Sequence, residues 1–118
     1  MATGGATMLN RSLAAALLLS ALPILAAADL SGRYTVQGRN ADGSAYSGTL
    51  TLQQHGNAVA ADWMVGGTPY SGYGPLDGRI LTLNWAPGQA PVIYVTMPDG
   101  TLHGTWADGL ALEKATPD

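Results

Sequence analysis

Cysteine and phenylalanine are both absent from these 118 residues, and charged side chains make up only 11% of them. Without cysteine there is no disulfide staple, no thiolate chemistry and no lipid-anchored amino-terminal Cys. Basic residues are scarce as well, five Lys and Arg against eight Asp and Glu, and they form no cluster. That disfavours nucleic acid and anionic lipid as partners, because both reward grouped positive charge. Long apolar runs are lacking too. The most apolar stretch, Leu13–Ala28, is 16 residues, short of the roughly 20 that a membrane-spanning helix needs.

What is present divides sharply in two. Residues 13–28 are nearly all Leu and Ala, whereas the chain after Asp29 is rich in Gly, Thr, Tyr, Trp and Val. The amino end has the three parts of a secretory signal: Arg11 as the positive region, Leu13–Leu25 as the apolar region, and Ala26-Ala27-Ala28 as the small residues before cleavage. Residues 1–28 therefore read as a helical signal peptide cut after Ala28. Met8 offers a second start, with a Met-Leu-Asn-Arg opening. The expected product is a single domain, 29–118, secreted or periplasmic, with no membrane span after cleavage. Losing Arg11 takes the net charge from −3 to −4. A domain this small, in an oxidising compartment and without disulfides, must rely on efficient packing of its core.

Turn signals punctuate that domain at regular intervals. They are Asn40–Gly43, His55–Asn57, Gly66–Pro69, Asp77-Gly78, Pro87–Gln89, Pro98–Gly100 and Asp108-Gly109, and they delimit eight short segments. Within the segments apolar residues alternate: Leu50 with Leu52; Val59, Ala61, Trp63 and Val65; Leu81, Leu83 and Trp85; Leu102, Gly104 and Trp106; Leu110 with Leu112. Period-two alternation between Asp-Gly-type turns predicts antiparallel hairpins. The tryptophans recur 22 and 21 residues apart, and Tyr46-Ser47-Gly48 recurs as Tyr70-Ser71-Gly72, so the repeating unit is a hairpin. The fold class expected is all-β: an eight-stranded antiparallel up-and-down meander closed into a small barrel, which removes the unpaired edges. A two-sheet β-sandwich is the alternative. In a tapering barrel Gly48, Gly72, Gly74 and Gly104 would make room for the indoles.

In shape such a chain is similar to the avidin-like and lipocalin-like eight-stranded barrels, through the Asp99–Trp106 run with its Gly-x-Trp ending. No biotin-contacting residues carry over. More closely, residues 29–116 resemble a family of small exported proteobacterial proteins. The shared features are Leu30-Ser31-Gly32-Arg33-Tyr34, the Asp42–Tyr46 turn, the Asp99–Trp106 strand and Glu113 near the carboxyl end. Some members are labelled fibronectin-binding, so the resemblance implies an extracellular protein partner but no functional residues.

Two candidate sites follow from the residues themselves. Trp63, Trp85 and Trp106 form either an aromatic pocket at the barrel mouth or a packed core, and a small domain without disulfides needs their buried area. The sixth segment is apolar on both faces, Val92 and Tyr94 on one and Ile93, Val95 and Met97 on the other. In a barrel the second face looks outward beside Ile80 and marks a partner or self-association surface. His55 and His103 have no converging ligands, so no metal site is expected. Asp42, Asp77, Asp99 and Asp108 are explained by their turns, while Asp62 and Glu113 are expected to pair with Arg33, Arg79 or Lys114 across strands. No catalytic set, phosphate cradle or cofactor motif is visible. The functional expectation is an exported, non-enzymatic binding or adhesion module using the apolar strand face. The alternative is a small-molecule carrier using the barrel mouth.

Overall fold

The computed structural model describes residues 29–118; the expected signal peptide, 1–28, lies outside the described residues. The strands are β1 Gly32–Arg39, β2 Ala45–His55, β3 Ala58–Val65, β4 Thr68–Asp77, β5 Ile80–Leu83, β6 Val92–Thr96, β7 Leu102–Trp106 and β8 Ala111–Pro117. Each pairs antiparallel with the next, and β8 returns to pair with β1 from Tyr34↔Pro117 to Arg39↔Leu112. That closure makes an eight-stranded meander barrel and sets aside the open sandwich. Each of the seven turn signals falls at a junction between consecutive strands, and the glycines at 43, 56, 66, 67, 78, 88, 100 and 109 have positive φ there.

Alternation decides what fills the barrel. Val36, Leu50, Leu52, Val59, Leu81, Leu83 and Leu102 project inward and are fully buried. Tyr34 joins them, donating its hydroxyl to the Leu30 carbonyl at 2.7 Å. Each buried Leu or Val contributes about 1.5–3 kcal/mol relative to exposure. The core is thus aliphatic over most of its length, although the sequence suggested tryptophan and glycine as its mainstay. Aromatic residues gather at one end. That upper end carries the β1–β2, β3–β4, β5–β6 and β7–β8 connections; the lower end carries the other three and the start of β1.

The glycines serve two purposes, of which the sequence suggested one. A Cβ on Gly72 would lie 2.9 Å from Cζ3 of Trp63, so this glycine does clear space for an indole. Gly104 instead underlies the Tyr94 ring, with a Cβ that would sit 2.5 Å from its Cδ1. Gly48 and Gly74 meet the Met64 and Thr82 carbonyls on the neighbouring strands. They let the backbones of neighbouring strands approach closely.

The last strand differs in phase from its sequence reading. Leu110 and Leu112 were expected inside, but they are 71% and 56% exposed, while Ala111, Glu113 and Ala115 are buried. The register explains the reversal. Glu113 sits between Gly38 on β1 and Gly104 on β7, the one row where the wall is stripped of side chains on both sides.

Candidate functional site

That row builds the site. Across five neighbouring strands the inward positions read Tyr46, Gly38, Glu113, Gly104 and Tyr94. Each tyrosine lies over the adjacent glycine, where a Cβ would collide with its ring. Both hydroxyls thereby reach the central carboxylate. Tyr46 donates to Glu113 Oε1 at 2.7 Å, and Tyr94 donates to Glu113 Oε2. Trp63 on β3 completes the set, its Nε1–H shared between Glu113 Oε2 and Tyr94 Oη at 3.1 Å each. Trp106 Nε1–H donates to Tyr46 Oη at 2.9 Å.

Glu113 is only 8% exposed, so it was not paired with Arg33, Arg79 or Lys114 as the sequence suggested. Arg33 bonds Asp118 at 3.2 Å, Arg79 bonds the Thr96 carbonyl, and Asp62 accepts from Ser71. Burying a carboxylate without a cation is costly, and three donated hydrogen bonds offset that cost. The effect on the donors is plain. Burial first, and the Glu113 charge second, raises the Tyr94 and Tyr46 hydroxyls well above the usual phenol range. Both remain protonated donors at any physiological pH.

Above the carboxylate the barrel is open. A cavity of about 210 Å³ is lined by Asn40, Tyr46, Trp63, Val65, Tyr70, Trp85, Val92, Trp106 and Glu113. Its rim is a run of edge-to-face rings: Tyr70 to Trp85 at 5.9 Å between centroids, Trp85 to Trp106 at 6.2 Å, and Trp106 to Tyr46 at 6.1 Å. Such pairs contribute about 0.5–1.5 kcal/mol each beyond their burial, so the rim rings fix one another's orientation. The Trp85 indole is pinned further by donating to the Ala90 carbonyl at 2.9 Å. A volume of 210 Å³ equals roughly seven waters of liquid, and a dry cavity of about 150 Å³ is known to accept benzene. The upper end therefore has room for a single-ring molecule.

The three tryptophans do not share one role. Trp63 is 6% exposed and belongs to the core network, whereas Trp85 and Trp106 are half-buried walls of the cavity. On the outer wall Ile80, Ile93 and Met97 are 41%, 38% and 37% exposed, with Val95 half-buried between them. Ile80 lies directly across from Val95, so the four form one strip. His55 and His103 are exposed, and among the described residues no three His, Asp or Glu converge.

Sequence reasoning missed Glu113 and Tyr46 as site residues, and placed Tyr94 only on a face. A signal for them was present. Buried indole and phenol donors require an acceptor inside the barrel, and Ala111-x-Glu113-x-Ala115 is the segment that offers a carboxylate between small residues.

No protein-family model and no curated protein matches this chain. Among solved structures it is similar to a redesigned β-barrel, with 21% identity over 74% of this chain and 88% of that one, at a TM-score of 0.52. At that identity the likeness speaks for the eight-stranded antiparallel barrel alone.

Proposed function

We propose that the protein is a small-molecule binding module acting outside the cytoplasm, with its ligand seated in the upper mouth of the barrel. The observation that supports this most is the open aromatic cavity ending on Glu113. Apolar walls with a few convergent polar groups are what small-ligand sites consist of. The reading is binding rather than catalysis, because Glu113 is the one carboxylate lining the cavity and no His, Lys, Arg or second acid stands with it among the lining residues. General acid–base chemistry needs a group free to exchange a proton. The test is a thermal shift and tryptophan-quench screen with single-ring compounds of different charge. A true ligand raises the melting temperature by mass action and quenches Trp85 and Trp106. No shift and no quench from any of them at millimolar concentration would remove this reading.

The strip of exposed Ile80, Ile93 and Met97 around half-buried Val95 favours a second reading, an adhesion or partner-binding surface. This is the role that the fibronectin-binding label of the resembling family would imply. Val95→Asp should then abolish association with a protein partner or a second copy while leaving the melting temperature within about 2 °C, a shift worth less than ~0.5 kcal/mol. Unchanged size-exclusion and pull-down behaviour would remove it.

A further inference from the structure

We infer that the ligand of this pocket is a small monocationic amine, its ammonium group seated on Glu113 and its apolar body against Trp85 and Trp106. This rests on the proposed pocket and adds the chemical class of its occupant.

The pocket has few donors left to offer. All three indole N–H groups are committed internally: Trp63 to Glu113 and Tyr94, Trp106 to Tyr46, and Trp85 to the Ala90 carbonyl. The Tyr46 and Tyr94 hydroxyl protons point at Glu113. At the rim the Asn40 amide donates to Ser44. An anion or a carbonyl ligand would therefore find almost nothing to bond to it, with the Tyr70 hydroxyl the remaining donor without an assigned partner among the described lining residues.

Acceptors and π faces remain in supply. The Glu113 carboxylate has about four lone-pair sites and accepts three hydrogen bonds, all from neutral groups. Among the described residues the ion pair found is Arg33 on β1 with Asp118 just past the end of β8, and neither lines this cavity. A charge-assisted N⁺–H···O⁻ bond would fill the open site and compensate the buried carboxylate. Aromatic walls attract the same positive charge through their ring quadrupoles. The acidic surroundings, eight Asp and Glu against four Lys and Arg over residues 29–118, concentrate cations around the barrel. The 210 Å³ volume limits the body to about one ring.

The test compares three probes of nearly equal size at pH 7 by calorimetry: benzylammonium, benzyl alcohol and benzoate. Benzylammonium should bind at least tenfold more tightly than benzyl alcohol, and benzoate more weakly than either. Glu113→Gln should reduce benzylammonium to about the level of benzyl alcohol measured on the same variant. Equal binding of benzylammonium and benzyl alcohol, or tighter binding of benzoate, overturns the cationic class and leaves the pocket standing. Failure of all three overturns the pocket as well. The ranking on the unaltered protein decides the matter even where the variant does not fold.

Discussion

Adding one methyl group at Gly104 should unfold this barrel more readily than removing one from its core. In an ordinary strand Gly→Ala gains about 0.5–1 kcal/mol by restricting the unfolded chain. Here the new Cβ would sit 2.5 Å from Tyr94 Cδ1 and 2.8 Å from the Ile93 carbonyl oxygen. Carbon atoms in contact prefer about 3.5–4.0 Å, so the ring must retreat by about 1 Å. Tyr94 is fully buried, and its hydroxyl is held by Glu113 and Trp63. Overpacking costs about 1–3 kcal/mol, and losing a hydrogen bond to a charged group about 1.5–3 kcal/mol. Set against the gain, the net loss is about 1.5–5.5 kcal/mol, and the middle of that range, about 3.5 kcal/mol, lowers the melting temperature of a domain this size by roughly 14–28 °C. Urea and thermal unfolding followed by tryptophan fluorescence would measure it. In the double variant Gly104→Ala with Tyr94→Leu the contact with the ring is gone and the one with the Ile93 carbonyl stays, so Gly104→Ala should cost less on the Tyr94→Leu background than on the parent. A Gly104→Ala protein as stable as the parent would refute the idea that Tyr94 lies over this glycine to reach Glu113.

Four further outcomes are expected. Glu113→Gln should cost no more than about 1 kcal/mol, because its amide can face Tyr46, whose hydroxyl can turn to the Leu112 carbonyl already 3.3 Å away. Glu113→Leu offers no acceptor to the Tyr94 hydroxyl and should cost about 1–3 kcal/mol more than Glu113→Gln in chemical denaturation. Stability should fall as pH rises above about 10, where the unfolded chain's phenols ionise while the raised Tyr34, Tyr46 and Tyr94 hydroxyls stay protonated in the fold. A phenolate absorbance titration showing all five tyrosines ionising near pH 10 in the folded state would contradict this. Replacing Trp63 with Phe removes a donor from Glu113 and should lower stability by about 1–3 kcal/mol, whereas Trp85→Phe, whose indole serves the rim, should cost less and weaken ligand binding.

Much of the fold was legible because local rules and global closure agree. Asp77-Gly78 and Pro98-Asp99-Gly100 announce turns, and Leu81, Leu83 and Leu102 alternate inward as period two demands. Exposure of Ile80, Ile93 and Met97 likewise follows from a strand that is apolar on both faces. The site was harder to read because its logic is non-local. Hydrophobicity alone puts Leu112 inside and Glu113 outside, and the reverse holds because Gly38 and Gly104 flank Glu113 only after the barrel has closed. Tyr46 and Glu113, 67 residues apart, meet for the same reason. A pattern of period two gives the faces of a strand; the neighbours that make a buried carboxylate tolerable are set by register.

The most direct test of the pocket is an NMR titration of the tryptophan indole N–H resonances with benzylammonium. Binding in the upper mouth predicts saturable shifts for Trp85 and Trp106, which line it, together with a change at Trp63 transmitted through Glu113. Indole resonances that stay fixed while the ligand perturbs the outer strip of Ile80, Ile93 and Met97, or perturbs nothing, would contradict the account.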